Sequence, residues 1–297
     1  MKKTVYILIL FFSSSIFTQQ LPDQNIQKKL WYFSINRSWS MITPYESDQY
    51  TDIFGPFKRD PKRNINSIEI IVRKKFNDSK FGIYSDFFEL VKRDYSMNFL
   101  TFERRNVISE EPTPIGNYFR SQSRIGLTFA FAPQINFTVG ARYFKSELTD
   151  GNSNYFQIRF GQRYIGTEIG IETKTRTFYN FYLETRISYF LLYGRSYHNY
   201  SFRDRTADQG YISVNIDPIT RVEGNEGILK IGYYFNPSFF ITIGYKYTSQ
   251  RIRPDDLRVY SGDSNFDFRL NTEYGLRKLN SYSDSLNSII LEIGTEI

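Results

Sequence analysis

Apolar and polar positions alternate most clearly in the stretch 227–248. A period of two predicts β-strands, in which successive side chains point to opposite faces of a sheet. The segment 236–238, Asn-Pro-Ser, has the composition of a tight turn and divides the stretch into two strands of a hairpin. One face of this predicted hairpin is aliphatic and aromatic. The other face carries small and basic residues, namely Lys230, Gly232, Gly244 and Lys246.

The same alternation recurs along the chain and predicts ten strands: 30–41, 66–76, 81–91, 121–132, 135–146, 155–173, 180–193, 226–235, 239–250 and 286–297. Two of them are irregular. Phe87 and Phe88 are adjacent and break the alternation of the third strand, which suggests a bulge. The segment 155–173 is interpreted as one strand with a bulge near Tyr164 and Ile165. A wrong boundary in either strand would change the number of strands to eight or twelve.

The connections between these strands alternate in length. The turns at 133–134 and 236–238 are short, whereas 43–65, 194–225 and 251–285 are predicted as long loops. The segment 92–120 is predicted as a long loop whose ends extend the flanking strands. Short turns on one side and long loops on the other are typical of transmembrane β-barrels, which also have an apolar exterior and a polar lumen. The fold class predicted is therefore all-β, a single antiparallel transmembrane β-barrel with short periplasmic turns and long extracellular loops.

Composition narrows the class of protein further. Lys2 and Lys3 precede the apolar run 5–12, which predicts a signal peptide over 1–20 and leaves 21–297 as one barrel domain. After this leader the chain has no apolar run of about 20 residues, which a membrane-spanning helix would need. The absence of cysteine excludes disulfides and thiolate metal sites.

With these features the chain resembles the bacterial outer-membrane β-barrel proteins as a class, over about residues 30–297. The resemblance rests on the leader, the alternation of short turns and long loops, and the amphipathic final strand 289–297. Such a strand is similar to the signal that the barrel-assembly machinery recognises, although Ile297 stands where that class usually ends in an aromatic residue. The resemblance implies a location in the bacterial outer membrane. Outer-membrane lipids and lipopolysaccharide are then expected partners, because basic segments such as 58–63 and 251–253 would face lipopolysaccharide phosphates or an acidic ligand.

Charged residues share the strand face that carries the glycines, and we predict that they point into the lumen. They are Glu69, Arg73, Arg142, Arg159, Arg163, Glu168, Glu172, Glu184, Arg186, Lys230, Lys246 and Glu292. Because both signs are present in similar numbers, we expect a network of salt bridges across a filled lumen. The alternative interpretation is a narrow pore whose charges tune the passage of ions or small solutes.

The sequence offers few groups for catalysis. Its one histidine, His198, is predicted to lie in a loop, without the neighbouring aspartate found in the omptin proteases, which are also ten-stranded barrels. No phosphate-binding loop, dinucleotide motif or metal-ligand spacing is present, so neither a cofactor nor a nucleic-acid partner is predicted. We therefore expect a non-enzymatic protein whose extracellular loops have a structural role or bind an extracellular ligand. A surface hydrolase of omptin or lipid A-modifying type is a further alternative.

Overall fold

The computed structural model describes residues 30–44, 57–58, 62–77, 79–103, 106–149, 156–203, 211–216, 219–256, 259–261 and 282–297. The predicted signal peptide lies outside these residues and stays a prediction. Half of the basic segment 58–63 and much of the predicted loops 43–65 and 251–285 also lie outside the described residues. No helix in the described part of the chain is long and apolar enough to cross a membrane.

Thirteen strands occur within the described residues. They are β1 (Trp31–Thr43), β2 (Phe57–Lys58), β3 (Lys62–Lys75), β4 (Phe81–Glu103), β5 (Asn106–Ala132), β6 (Ile135–Thr149), β7 (Phe156–Lys174), β8 (Phe181–Arg203), β9 (Tyr211–Ile216), β10 (Ile219–Tyr234), β11 (Phe239–Asp256), β12 (Val259–Ser261) and β13 (Tyr282–Glu296).

Ten of the described strands form a closed antiparallel barrel in the order β1, β3, β4, β5, β6, β7, β8, β10, β11 and β13. The last strand pairs with the first, from Tyr32 opposite Glu296 to Thr43 opposite Ser285. The short strands β2, β9 and β12 extend this sheet beyond the barrel by pairing with β4, β8 and β9. The ten barrel strands correspond one by one to the ten predicted strands, which confirms the predicted fold class.

Four short connections lie at one end of the barrel, which we call the turn end. They are 76–80, 133–134, 175–180 and 235–238. The start of β1 meets the last residue of the chain there as well, because the amide of Trp31 donates to the carbonyl of Ile297 at 2.7 Å and the amide of Ile297 donates to the carbonyl of Trp31 at 3.0 Å. We call the opposite end the loop end.

The strands extend much further at the loop end than the sequence predicts. β4 and β5 continue as a hairpin of 23 and 27 residues whose last pair is Glu103 opposite Asn106. The predicted extension of the flanking strands into 92–120 is therefore present, but the prediction of a long loop between them is wrong. β8 continues to Arg203, so the loop predicted over 194–225 begins later than expected, and His198 lies in a strand opposite Phe160 and Ile216.

The exterior of the barrel is apolar. Ile125 is 64 % exposed, whereas the inward-facing Tyr84 is 2 % exposed. Aromatic side chains are exposed in two rings: Phe76, Phe81, Phe181, Phe235 and Phe239 at the turn end, and Trp39, Tyr143, Tyr189, Tyr193, Tyr245 and Tyr247 nearer the loop end. Such an exterior is typical of a barrel that lies in a membrane, with aromatic residues at both interfaces.

The two expected bulges do not form. β4 pairs with β5 without a shift from Phe81 to Lys92, with Phe87 outward and Phe88 buried in the lumen. β7 likewise pairs continuously with β6, with Tyr164 buried and Ile165 exposed. The apolar pattern changes parity because the lumen itself becomes apolar towards the loop end, so inward positions there carry apolar residues along an unbroken strand.

The lumen is filled by three layers of side chains. Apolar residues fill the loop end in two clusters: Ile42, Ile65, Phe88, Leu90, Tyr95, Ile115, Tyr118, Leu148, Phe160 and Leu286 form one, and Phe144, Tyr164, Phe190, Leu192, Val222 and Ile252 form the other. A mainly aromatic layer of Tyr32, Ile71, Tyr182, Tyr234 and Phe240 lies near the turn end. Buried charged residues occupy the space between them.

Candidate functional site

The middle layer of the lumen is a network of charged side chains, to which most strands of the barrel contribute. Strand pleating directs each of these residues inward, since it lies an even number of positions from buried neighbours on its own strand. Eight residues form the central part: Glu69 on β3, Asp86 on β4, Arg124 on β5, Arg142 on β6, Glu168 on β7, Arg186 on β8, Glu226 on β10 and Lys246 on β11.

Arg124 contacts all four of the central acidic residues. Its Nη2 lies 2.6 Å from Asp86 Oδ2 and 3.1 Å from Glu69 Oε1. Its Nη1 contacts Glu226 Oε1 and lies 3.8 Å from Glu168 Oε1. Because a guanidinium presents five donors in a fixed plane, one arginine can neutralise carboxylates on several walls of the barrel at once.

Arg142 and Arg186 hold Glu168 from two sides. Arg142 Nη1 lies 3.1 Å from Glu168 Oε2, and Arg186 Nη2 lies 2.6 Å from Glu168 Oε1. Each guanidinium also lies over an aromatic ring: Arg142 is 4.0 Å from the ring centre of Phe190, and Arg186 is 5.4 Å from that of Tyr84. The arginines are therefore fixed by ion pairs and by cation–π contacts together.

A second group of charges continues the network towards the turn end. Arg73 Nη1 lies 3.1 Å from Glu172 Oε2, and Lys230 Nζ lies 2.8 Å from Glu292 Oε2. Glu184 lies between these pairs, 3.8 Å from Arg73 and 3.7 Å from Lys230. The hydroxyl of Tyr32 also donates to Glu292, which joins the charges to the aromatic layer below.

A separate pair lies on the loop side of the central network. Arg120 Nη1 lies 3.0 Å from Asp284 Oδ1, and Gln250 Nε2 donates to Asp284 Oδ2 at 2.9 Å. The Arg120 guanidinium is 4.8 Å from the ring centre of Phe144. This pair is thus compensated among the apolar clusters of the loop end, where an isolated charge would be costly.

Glycines on the inner face make room for this packing. The ring of Tyr84 on β4 covers Gly126 on β5 and Gly140 on β6: a Cβ at position 126 would lie 2.7 Å from Tyr84 Cε1, and one at position 140 would lie 2.6 Å from the Tyr84 hydroxyl. Tyr182 covers Gly232, and Phe240 covers Gly294, in the same way. These glycines let large side chains lie flat across a narrow lumen.

A closed barrel with an apolar exterior, two aromatic rings and a charged interior decides the class of this protein. The chain has the fold of a bacterial outer-membrane β-barrel. Its lipid-facing wall places it in the outer membrane, with the turn end periplasmic and the loop end extracellular.

The comparison with one solved structure agrees with this fold. The outer membrane protease OmpT from Escherichia coli superposes with a TM-score of 0.53, at 11% identity, covering 93% of this chain and 99% of OmpT. Neisserial surface protein A gives a TM-score of 0.28 at 7% identity, covering 90% of this chain and 97% of that protein. Ail of Yersinia pestis gives 0.29 at 11% identity, covering 91% and 100%. At such identity the likeness to OmpT concerns the fold alone. No protein-family model and no curated protein matches the sequence.

The lumen contains ten of the twelve charged residues that the sequence analysis placed there: Glu69, Arg73, Arg142, Glu168, Glu172, Glu184, Arg186, Lys230, Lys246 and Glu292. The sequence analysis did not include Asp86, Arg124 and Glu226 among the lumen charges, although all three belong to the centre of the network. For Asp86, the predicted strand 81–91 offered no recognised inward residue. Glu226 shares its strand parity with Lys230, which the sequence analysis placed in the lumen, and Arg124 shares the parity of the inner-face glycine Gly126. That parity was the signal that could have identified Glu226 and Arg124.

The prediction that Arg159 and Arg163 point into the lumen is wrong. Both are exposed on the outer wall, because β7 has no bulge to reverse its parity. Arg159 Nε lies 2.8 Å from Glu147 Oε1, and the hydroxyl of Tyr197 donates to Glu147 Oε2 at 2.9 Å. The Tyr197 ring covers Gly161, with the guanidinium carbons of Arg159 and Arg163 5.6 Å and 5.7 Å from its centre.

This outer cluster lies beyond the lipid-facing wall. Glu147 lies four positions after Tyr143 on β6, and Tyr143 belongs to the aromatic ring nearer the loop end. Burial opposes the ionisation of Glu147. The hydrogen bonds from Arg159 and Tyr197 and the charges of Arg159 and Lys145 outweigh that effect and lower the pKa of Glu147 below its ordinary value. Burial, together with the neighbouring Glu147 carboxylate, raises the pKa of the Tyr197 hydroxyl to about 12.

Proposed function

We propose that the protein is a non-enzymatic outer-membrane barrel with a sealed lumen, which acts from its extracellular side through a structural role or a surface interaction. The proposal rests on the network of paired acidic and basic side chains in the middle layer of the lumen. Acidic and basic residues hold one another at salt-bridge distance across the lumen, so their charges are used in packing. The layers above and below are filled with apolar and aromatic side chains.

Conductance measurements test whether the lumen is sealed. We expect no stepwise current from the purified protein in planar bilayers, once a heat-dependent shift in gel mobility has shown that the barrel is folded. Reproducible current steps from the folded protein would contradict the sealed lumen and support the alternative of a narrow pore.

The non-enzymatic part of the proposal is tested at the single histidine. His198 lies on β8 and is a pairing partner of Phe160. We expect folded wild-type protein and a His198→Ala variant to show the same background towards peptide and lipid A substrates. Turnover by the wild type that is lost in His198→Ala would support the alternative of a surface hydrolase.

We further propose lipopolysaccharide as a partner of the outer wall. Lys145, Arg163 and Arg195 face each other on β6, β7 and β8, and Arg221 faces Arg253 on β10 and β11. All five point outward near the loop end, with Glu147 and Glu223 as the acidic residues among them. Like charges directly opposite one another destabilise a sheet. Their placement favours a bound anion, and the phosphates of lipopolysaccharide lie at this level of the outer leaflet.

Lipopolysaccharide binding is tested with a double variant, Arg163→Gln with Arg195→Gln. We expect weaker retention of lipopolysaccharide by the purified protein, and a weaker dependence of that retention on salt. Arg176→Gln is the matched control, because Arg176 is exposed in the periplasmic turn 175–180 at the other end of the barrel. Equal retention by the double variant and the control would contradict this partner.

We also propose that the barrel-assembly machinery recognises β13 during biogenesis. Ile289 and Ile293 are exposed on its outer face, and β13 closes the barrel against β1. An Ile297→Phe variant, which supplies the terminal aromatic residue typical of the class, should assemble at least as fast as the wild type in reconstituted membranes. Slower assembly of Ile297→Phe would contradict recognition of this strand end.

A further inference from the structure

A trough on the lipid-facing wall lies on the periplasmic side of the barrel. Its volume is about 280 Å³, and its lining includes Val72, Ile83, Ser85, Ile125 and Leu127. Ser85 faces Val72 on one neighbouring strand and Ile125 on the other, so a small residue is surrounded by bulky ones. This difference in size produces the depression. An apolar cavity of about 150 Å³ is enough to hold benzene, so the trough has room for a longer stretch of hydrocarbon.

One end of the trough carries a positive charge. Lys74 and Trp31 line this end, and the Lys74 ammonium lies 4.6 Å from the ring centre of Trp31. Lys74 is a pairing partner of Trp31, the first residue of β1, and lies one residue before the end of β3. It therefore stands at the periplasmic interface, while the apolar trough extends from it towards the membrane interior.

We propose that this trough is a binding site for a single anionic phospholipid of the periplasmic leaflet. Its phosphate would pair with Lys74, and one acyl chain would lie over Ser85. The distribution of charge selects this occupant: a cation at one end and an apolar lining along the rest match an amphiphile with an anionic head. The site is independent of the lumen, because every residue used here other than Trp31 lies on the outward face of β3, β4 or β5.

Native mass spectrometry of the folded protein in detergent tests this site with three added probes. They are phosphatidylglycerol, a diacylglycerol with the same acyl chains, and glycerol 1-phosphate. We expect phosphatidylglycerol to be retained about fivefold more than the diacylglycerol, the effect of one basic residue near a lipid phosphate. Glycerol 1-phosphate should not be retained, because it lacks the hydrocarbon that the trough holds.

Two variants separate the two parts of the site. Lys74→Gln should lower the retention of phosphatidylglycerol to that of the diacylglycerol, and Ser85→Leu should fill the trough and lower the retention of both lipids. Lys80→Gln, in an exposed turn, and Thr167→Leu, on the exposed face of β7, are the matched controls and should retain both lipids as the wild type does. A heat-dependent gel shift confirms that each variant is folded.

Three results would overturn the assignment. The first is equal retention of phosphatidylglycerol and diacylglycerol by the wild type, which would mean that Lys74 contributes nothing. The second is unchanged retention in folded Lys74→Gln and Ser85→Leu, which would place the lipid elsewhere on the wall. The third is retention of glycerol 1-phosphate at the level of phosphatidylglycerol, which would indicate a site for a free phosphate.

Discussion

The guanidinium of Arg124 on β5 contacts the carboxylate of Glu226 on β10 across the lumen, between strands that lie four positions apart around the barrel. The side chain of Arg124 is 3 % exposed and that of Glu226 is fully buried. Glu226 also lies 3.0 Å from Arg142 and 3.8 Å from Lys246. One carboxylate therefore forms ion pairs with three cationic side chains, each from a different strand.

Replacing Glu226 should therefore destabilise the barrel strongly. In Glu226→Gln the three cations lose a shared charge without a change in shape, and we expect the free energy of unfolding in urea to fall by about 3 kcal/mol. Glu223→Gln on the same strand is the control. Glu223 pairs with Arg221 on the outer wall and is 25 % exposed, so its loss should cost less than about 1 kcal/mol. Equal effects of the two variants would contradict the buried network.

The packing of Tyr84 on the inner wall predicts a difference between two glycines. In Gly126→Ala the new methyl group would meet Tyr84 and the backbone of β6, and we expect a loss of about 1–3 kcal/mol in unfolding free energy. Gly227→Ala adds the same group where no atom lies within 4 Å, so stability should stay within about 0.5 kcal/mol of the wild type. A Gly126→Ala variant as stable as Gly227→Ala would contradict the close packing of position 126 against Tyr84 and the backbone of β6.

Two exposed apolar residues on β5 should differ in their tolerance of charge. Ile125 is 64 % exposed on the lipid-facing wall, and Val107 is 51 % exposed in the long extracellular hairpin. We expect Ile125→Arg to cost about 2–4 kcal/mol of unfolding free energy in lipid vesicles. Position 107 lies in water, so Val107→Arg should change the free energy of unfolding by no more than about 0.5 kcal/mol. If both variants were equally stable, the wall at Ile125 would not be in contact with lipid.

The pKa of Glu147 gives the outer cluster a defined dependence on pH. Arg159 and Tyr197 hold this pKa below the ordinary value of about 4.3 that applies to the unfolded chain. The stability contributed by Glu147 is thus present above about pH 4.3 and is lost as the pH falls through the lowered pKa of the folded state. The difference in unfolding free energy between the wild type and Glu147→Gln should shrink on acidification. A difference that grows below pH 4.3 would contradict the lowered pKa.

Strand alternation within the membrane was sufficient to predict the barrel and its ten strands, and ten of the twelve charged residues that it placed inward do lie in the lumen. The errors arise where strands leave the lipid. Inside the bilayer the apolar residues face outward, whereas beyond it they face the lumen, so the apolar pattern changes parity although the strand continues. The parity of the apolar pattern changes at Phe88 and at Tyr164, and the sequence analysis interpreted each change as a bulge. The bulge near Tyr164 in turn placed Arg159 and Arg163 on the wrong face.

The sequence pattern did not predict the length of the extracellular hairpin, for a related reason. Residues 92–120 include prolines and charged residues and lack an apolar exterior, because both faces of the sheet beyond the membrane are free to be polar. The pairing in this hairpin is also irregular: the register shifts between Lys92 and Tyr95, where Asp94 has a φ of 53°, and again between Tyr95 and Ser96 and between Thr101 and Phe102. Local alternation cannot identify such strands, since their stability comes from pairing with each other.

The charged network also bears on how the barrel folds. Arg124 needs carboxylates from β3, β4, β7 and β10, which are distant in sequence and meet only when the sheet curves round upon itself. A partly curled sheet keeps Arg124 next to Asp86 on the adjacent strand but apart from Glu168 and Glu226, and a bilayer interior does not tolerate charges left unpaired in this way. The charges must therefore stay hydrated until β13 reaches β1. Insertion of the strands and closure of the sheet are consequently coupled into one cooperative event, with the lumen losing its water last.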